Sequence, residues 1–286
     1  MLPFLSEEGQ FVNMMLMAAY FFARQSRSVQ AVYTSETNQM SSQNRRVTIL
    51  ALIVVLPMLM AGLIFSRALP AFASCGGTTN VANETQLNAA ITDFNSCTAN
   101  TFTINVTADI TLTADLTTIS NSDSTAELII EGNGHTLDGD ETFKTIVADS
   151  SGAAPVTVSG LTVSGSKEYG ISANVPITIE DSVLAGNSIN GLNAYGGATI
   201  RGTTIRTNGV NGIFGSNHDI TITDSTISNN RSIGINISSI SLTVINSTLS
   251  DNNSYGIFTN LSTVTITNSA VVATIITVCI SATAPI

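Results

Sequence analysis

The densest group of acidic side chains in the sequence is the run Asp138, Asp140 and Glu141, and Glu131 and His135 lie just before it. Carboxylates this close together can bind a calcium ion, and a carboxylate beside a histidine can act as an acid or base on a substrate. A glycine separates two of the carboxylates, as is common in exposed turns. We interpret the run as an acidic turn, with a calcium or substrate site as the alternative.

The placement of these residues depends on a repeat that runs from Val156 to Thr267. Its units, which we call rungs, are 21 or 22 residues long and begin at Val156, Ile177, Ala198, Ile220, Leu242 and Val264. Each rung has three short β-rich segments with aliphatic residues at fixed positions, separated by turns rich in Gly, Asn, Asp and Ser. The pattern predicts rungs stacked about 4.8 Å apart with their strands paired in parallel.

Two further positions recur in almost every rung. A glycine followed by an aliphatic residue recurs at Gly170, Gly191, Gly212, Gly234 and Gly256. A polar residue precedes each glycine, first as Ser166 and then as Asn187, Asn208, Asn230 and Asn252. We interpret the asparagines as a structural amide ladder rather than as glycan contacts. The glycines indicate a turn that needs a positive φ or a close backbone approach.

Side chains from different rungs approach each other only when they share a column. Asp181 and Asp224 share one but lie two rungs apart, about 10 Å, which is too far to share a small cation. Glu180 and Arg201 occupy neighbouring rungs and are predicted to form an exposed ion pair worth less than about 1 kcal/mol. Arg206 shares its column with serine and alanine only. No column therefore combines several carboxylates with a base.

The rung Ile220–Ile227, followed by Asn230 and Gly234, and the opening segment Ile130–Gly139 resemble bacterial exported β-helix proteins of the pectate-lyase-like fold. The resemblance covers residues 85–270. It implies an all-β fold, a single-stranded right-handed parallel β-helix. Members of this fold include calcium-dependent lyases, hydrolases with paired carboxylates, adhesins and inert scaffolds. The paired-Asp, His-Gly and Arg-x-Lys signatures of polygalacturonases are absent from the sequence.

The expected function is therefore a non-catalytic scaffold that binds carbohydrate or another surface. The alternative is a polysaccharide lyase or glycoside hydrolase, and a second alternative is a truncated fragment without a function of its own. An enzyme would draw its catalytic residues from Glu131, His135, Asp138, Asp140 and Arg201 or Arg206, and calcium from Asp138, Asp140 and Glu141. We expect no other cofactor.

Aromatic residues that could support a sugar ring are sparse, namely Tyr169, Tyr195, Phe214, Tyr255 and Phe258. Phe214 and Phe258 share a position two rungs apart. We interpret both as packing residues.

Residues 40–73 have the features of an export signal. Arg45 and Arg46 precede an apolar run at 47–65, and the small-residue pattern of a cleavage site follows at 71–73. An uncleaved transmembrane helix is the first alternative, and a lipidated Cys75 is the second. We therefore expect a secreted or surface-attached protein. Residues 1–39 form an upstream extension, and we hypothesise that translation starts at Met40.

Residues 74–127 are predicted to form an N-terminal cap and irregular first rungs, and residues 128–270 the β-helix. Apolar residues at helical spacing over residues 83–94 predict a capping helix. Cys75 and Cys97 flank this helix, and we expect them to form a disulfide; two free thiols are the alternative. Residues 271–286 lack the rung pattern. We hypothesise a frameshift there, with a genuine apolar last strand as the alternative.

The chain is strongly acidic, with a net charge of −10. From Ser74 onward it has 5 basic and 17 acidic residues. This charge argues against binding of nucleic acid, and against membrane attachment other than through residues 47–65. It also argues against polyanionic glycans unless a cation bridges them.

Overall fold

The computed structural model describes residues 76–98, 100–149, 154–238, 241–260, 262–272 and 277–279. The chain divides into two units, Met1–Ala71 and Phe72–Ile286, and every described residue belongs to the second. The predicted export signal, the upstream extension and Cys75 lie outside the described residues. Within the described part of the chain, no helix combines the length and the apolar character needed to cross a membrane.

Three parallel sheets make up the described solenoid. The first sheet contains β1 Gly77–Val81, β2 Asn100–Val106, β4 Ala126–Glu131, β7 Val156–Ser159, β10 Ile177–Glu180, β13 Ala198–Arg201, β16 Ile220–Thr223, β19 Ser241–Ile245 and β22 Thr263–Thr267. The second contains β3 Ile110–Thr111, β5 Thr136–Asp138, β8 Thr162–Ser164, β11 Val183–Ala185, β14 Thr204–Arg206, β17 Thr226–Ser228, β20 Thr248–Ser250 and β23 Ala270–Val271. The third contains β6 Ile146–Ala148, β9 Ile171–Ala173, β12 Leu192–Ala194, β15 Ile213–Ser216, β18 Ile235–Ser238, β21 Ile257–Asn260 and β24 Thr277–Cys279.

The pairing register confirms the predicted rung period. Ile179 pairs with Val158 on one side and with Ile200 on the other, all in parallel. Each regular rung contributes one strand to every sheet, so residues one period apart are direct neighbours. The columns aligned in the sequence are therefore physical columns of stacked side chains.

The inward-facing aliphatic residues of all three sheets form one continuous core. In rung after rung the inward positions are fully buried, as at Ile179, Leu184 and Leu192, which are each 0% exposed. The residues between them, such as Thr178, face outward and are half-buried. β-Branched residues suit this arrangement because each strand has one buried and one exposed face. The core fixes the register, since a slip by one residue would turn the aliphatic side chains outward.

One helix, α1 Glu84–Asn95, follows β1. Asn83 caps its first turn by accepting a hydrogen bond from the backbone N–H of Gln86. Leu87, Ala90, Ile91 and Phe94 are its buried residues, the four predicted from the helical spacing. Cys97 follows α1 and is disulfide-bonded. Because Cys75 lies outside the described residues, its pairing with Cys97 stays a prediction.

The polar side of α1 hydrogen-bonds the backbone of residues 113–120. Glu84 accepts from the N–H groups of Thr113 and Ala114, at 2.8 and 3.1 Å. Asn88 accepts from the N–H of Thr117 at 2.7 Å, and Asn95 from that of Ser120 at 2.8 Å. Elsewhere such donors bond to a neighbouring rung. The side chains of α1 therefore accept backbone hydrogen bonds that a neighbouring strand would otherwise accept.

Replacing Glu84 with glutamine should destabilise this end of the solenoid by about 1 kcal/mol at neutral pH. Two backbone N–H groups and the Thr113 hydroxyl donate to the Glu84 carboxylate, whereas a glutamine side chain has only one acceptor oxygen. The side-chain hydrogen bond from Thr113 holds the pKa of the Glu84 carboxyl below its ordinary value. A carboxyl with a depressed pKa stabilises the folded state above its unfolded pKa, so this contribution is lost as the pH falls below about 4.

Urea unfolding of the wild type, Glu84→Gln and the exposed control Glu141→Gln at neutral and acidic pH measures both effects. The Glu84 variant should lose part of the pH dependence that the control keeps. Equal pH dependence in all three proteins would show that Glu84 does not support the cap.

The last described rung is more open than the others. Ile266 in β22 is 36% exposed and Val272, just after β23, is 52% exposed. Thr277–Cys279 pairs in parallel with β21, so the third sheet continues into the segment for which we hypothesised a frameshift.

Candidate functional site

The acidic run lies in the turn that follows β5 of the second sheet, beside a shallow groove of about 360 Å³. The groove is lined by Asp138, Asp140, Glu141, Ser164, Gly165, Ala185 and Gly186. The Oδ1 of Asp138 accepts a hydrogen bond from the N–H of Asp140 at 3.1 Å. Asp140 and Glu141 have φ angles of 52° and 56° and are exposed. Asp138 thus helps to shape the turn.

The groups proposed for chemistry near this turn do not converge. No three His, Cys, Asp or Glu side chains of the described residues are placed to hold a metal ion together. His135 Nδ1 lies 3.4 Å from Asp109 Oδ1, and the same oxygen accepts the N–H of Thr136 at 2.8 Å. Both side chains therefore take part in the turn that leads into β5.

The two arginines share columns with the candidate acids but lie three rungs away from them. Glu131 pairs with Ser159, and the same column then passes through Glu180 to Arg201. Asp138 is linked in the same way through Ser164 and Ala185 to Arg206. Three rungs correspond to about 14 Å, which exceeds the reach of a shared hydrogen bond or proton transfer.

The arginines also differ in their partners. Arg201 forms the predicted ion pair with Glu180, with 3.3 Å between Nη2 and Oε1; the Arg201 side chain is exposed and that of Glu180 half-buried. Such a pair contributes less than about 1 kcal/mol. Arg206 forms no ion pair with any described residue, and its neighbours in register are Ala185 and Ser228.

The lysines of the second unit are held in ion pairs. Lys167 Nζ lies 2.8 Å from Asp115 Oδ1, and this hydrogen bond lowers the pKa of the Asp115 carboxyl. Lys144 Nζ lies 3.0 Å from Glu168 Oε1, which raises the pKa of Lys144. A lysine that acts as a general base needs a lowered pKa, so Lys144 is tuned in the opposite direction.

The backbone conformation explains why aspartates recur at the corner that follows the first sheet. That position is occupied by Gly160, Asp181, Gly202, Asp224, Asn246 and Asn268, with φ between 47° and 60°. Glycine, asparagine and aspartate are the residues that tolerate this left-handed conformation. The column therefore marks a turn, and its carboxylates are exposed.

A second left-handed column follows the second sheet, and Thr207 is its poorest member. Its equivalents are Gly165, Gly186, Asn229 and Asp251, whereas the β-branched Thr207 has a φ of 54°. We expect Thr207→Gly to stabilise the protein by about 1 kcal/mol, because the strain of the left-handed conformation outweighs the entropy lost by glycine. Thr204→Gly, at the first residue of β14, should destabilise by a similar amount. Urea midpoints that move in the same direction for both variants would contradict this account.

The four predicted ladder asparagines are buried and hydrogen-bonded in series. The Nδ2 of Asn187 donates to Asn208 Oδ1 at 3.0 Å, Asn208 donates to Asn230 at 2.9 Å, and Asn230 donates to Asn252 at 2.9 Å. Each Oδ1 also accepts a backbone N–H from the rung before it. Because both the Oδ1 and the Nδ2 of these asparagines are hydrogen-bonded within the protein, they have few donors or acceptors left for a ligand.

Sequence reasoning missed a second ladder, made of hydroxyl groups. Ser182, Thr203, Ser225, Ser247 and Ser269 each accept a backbone N–H from the preceding rung, at 3.0 to 3.4 Å. Each hydroxyl donates to the carbonyl two residues earlier in its own chain. The signal was the Ser or Thr at the sixth position of these five rungs.

One column of the third sheet alternates amide and aromatic side chains. Asn193, Phe214, Asn236 and Phe258 occupy the same register position in four successive rungs. Phe214 packs edge-on against Tyr195, with ring centroids 5.8 Å apart, and Phe258 packs against Tyr255 at 5.9 Å. We call these six residues the aromatic strip. Both phenylalanines do pack, as interpreted, but against tyrosines outside the core.

Five of the six residues of the aromatic strip are accessible, and none of the six is charged. Tyr195 is 37% exposed, and Phe214, Asn236, Tyr255 and Phe258 are half-buried. Asn193 is buried, and its Oδ1 accepts a hydrogen bond from Nδ2 of Asn190 at 2.8 Å. The described strands of the third sheet contain no charged residue, whereas the first sheet contains Glu180 and Arg201 and the second contains Asp138 and Arg206. Aromatic rings beside amides can hold a ligand that has an apolar face and a hydroxyl rim.

Comparison with known proteins agrees with this architecture. Residues 144–282 match the family described as a right-handed β-helix region. The solenoid is a right-handed parallel β-helix. Among solved structures it is similar to the A-module of the mannuronan C-5 epimerase AlgE4 of Azotobacter vinelandii, with 16% sequence identity and a TM-score of 0.49. That similarity covers 69% of this chain and 75% of the epimerase module. No curated protein matches the chain.

Proposed function

We propose that this β-helix is an exported, non-catalytic scaffold that binds a carbohydrate on the outer face of its third sheet. The observation that carries the proposal is the aromatic strip. Its rings lie outside the core, and the half-buried amide of Asn236 lies in the rung between Phe214 and Phe258. A sugar ring has an apolar C–H face that packs on an aromatic ring and hydroxyls that bond with amides.

The rigid setting of the strip supports this proposal. The outward side chains extend from strands that are anchored by fully buried residues. In β15, for example, Ile213 is fully buried and fixes the position of the adjacent Phe214. The rings are also held in place by their tyrosine partners. A preorganised surface loses little conformational entropy when it binds.

The charged groups are arranged in a way that favours binding over cleavage. Glycan-cleaving enzymes need carboxylates, or a metal and a base, close to one bond. Here the candidate acids and arginines are separated by about 14 Å along their columns, and Asp138 and His135 take part in turns. Calcium at the acidic turn, and export through residues 40–73, remain proposals from the sequence.

Retention of the full-length chain on immobilised polysaccharides tests the proposal. Wild type should be retained on at least one neutral glycan, and the double variant Phe214→Ala and Phe258→Ala should lose at least about tenfold in affinity, since an aromatic contact is worth about 0.5–1.5 kcal/mol beyond its buried area. The control Thr178→Ala and Thr221→Ala changes the outer face of the first sheet and should bind as wild type. Equal loss in both double variants, or no retention of wild type, would contradict the proposal.

A further inference from the structure

The aromatic strip has a direction and a repeat, and both restrict the kind of glycan that would fit. Phe214 and Phe258 lie in one column, separated by the rung that holds Asn236. Two rungs correspond to about 10 Å measured along the solenoid axis. This distance is comparable to a disaccharide unit in an extended chain. We call each Phe–Tyr pair a station, meaning a place where one sugar ring can stack. The amide of Asn236 lies in the rung between the two stations.

We infer that the strip binds a neutral, linear, β-1,4-linked glycan of the glucose type, lying along the solenoid axis and stacking one sugar ring on each station. This inference rests on the proposed function and adds the class and the orientation of the ligand. An all-equatorial ring fits because its axial C–H groups form a flat apolar face, while its hydroxyls point sideways, where the half-buried Asn236 can bond them.

Orientation follows from where the aromatic side chains lie. A chain that crossed the sheet at right angles would meet only one of the two phenylalanines, because Phe214 and Phe258 share one position across the sheet and lie in different rungs. A chain along the axis meets both. Binding at two linked stations gains affinity without a new kind of contact, because the second contact becomes intramolecular.

Neutrality follows from the charge distribution. The described third-sheet strands offer no cation to pair with a carboxylate, and the chain as a whole carries a charge of −10. A uronate chain would lose hydration at the strip without gaining an ion pair, and it would be repelled at low ionic strength.

Calorimetry with β-1,4-linked gluco-oligosaccharides, from the disaccharide to the hexasaccharide, tests this inference with the full-length chain. Wild type should gain at least about tenfold in affinity once the oligomer is long enough to span both stations. Phe258→Ala should remove that gain and leave the affinity for the disaccharide within about twofold, since the Phe214 station remains. Phe214→Ala should give the same pattern from the other station. Thr221→Ala, on the first sheet, is the control and should keep the full gain.

Oligomers of galacturonate supply the second arm and should bind at least about tenfold more weakly at low salt. Retention of glycan with no dependence on length, or equal or stronger binding of the uronate oligomers, would overturn the inference while leaving the proposed binding function intact. Absence of binding to every glycan would overturn both. Unchanged circular dichroism of each variant shows that a loss of affinity is not a loss of fold; both phenylalanines lie outside the core, so we expect the variants to fold.

Discussion

Replacement of Asn208 by alanine is expected to lower the free energy of unfolding by about 3–5 kcal/mol. The side chain serves both neighbouring rungs. Its Oδ1 accepts from the backbone N–H and the Nδ2 of Asn187, and its Nδ2 donates to Asn230 Oδ1 and to the carbonyl of Leu184. All of these groups are buried, so alanine would leave several of them without a partner, at about 1–3 kcal/mol each.

Urea unfolding followed by circular dichroism measures this loss. The control is Asn253→Ala, an exposed asparagine whose backbone N–H, not its side chain, bonds the preceding rung, and it should change the free energy by less than about 0.5 kcal/mol. If Asn208→Ala were as mild as the control, the amide ladder would not be a principal source of stability between rungs.

The second large effect is expected at Gly212, where a methyl group has no room. A Cβ at this position would lie 2.6 Å from the carbonyl oxygen of Gly234, 2.7 Å from Cγ2 of Ile227 and 2.9 Å from Nδ2 of Asn230. Relief would require two rungs to separate, because one of the clashing atoms belongs to the backbone. We therefore expect Gly212→Ala to destabilise by about 3 kcal/mol or more, at or above the upper end of overpacking effects.

Gly186→Ala is the matched control for Gly212→Ala. A Cβ at Gly186 meets nothing within 4 Å, but the φ of +67° makes alanine strained there, at about 1 kcal/mol. Thermal unfolding of both variants compares the two costs. A smaller effect at Gly212 than at Gly186 would mean that the rungs adjust to an added methyl group.

The rung architecture was predictable because burial acts on every rung in the same way. Val158, Ile179, Ile200 and Ile222 recur at one position since each must fill the same place in the core. Gly212 was recognised for a related reason, since the close approach of stacked rungs excludes a Cβ there and equally at Gly170, Gly191 and Gly234. A constraint that repeats in space leaves a period in the sequence.

The candidate site was less predictable because it depends on exposure and on distances across rungs. Glu131 and Arg201 are residue types that could form an acid–base pair. Only the strand register shows that three rungs separate them. Phe214 was interpreted as a packing residue, since a sequence does not show that its tyrosine partner lies outside the core. The hydroxyl ladder was missed because Ser and Thr are also common on exposed strand faces.

The most direct test of a binding scaffold measures binding and cleavage in one sample. The full-length chain is incubated with a panel of plant and bacterial polysaccharides, with and without calcium, and both bound protein and soluble products are quantified. We expect retention on a neutral glycan, with no new reducing ends and no unsaturated uronate. Product formation would contradict the non-catalytic account, and a calcium requirement for it would place the activity at the acidic turn around Asp138.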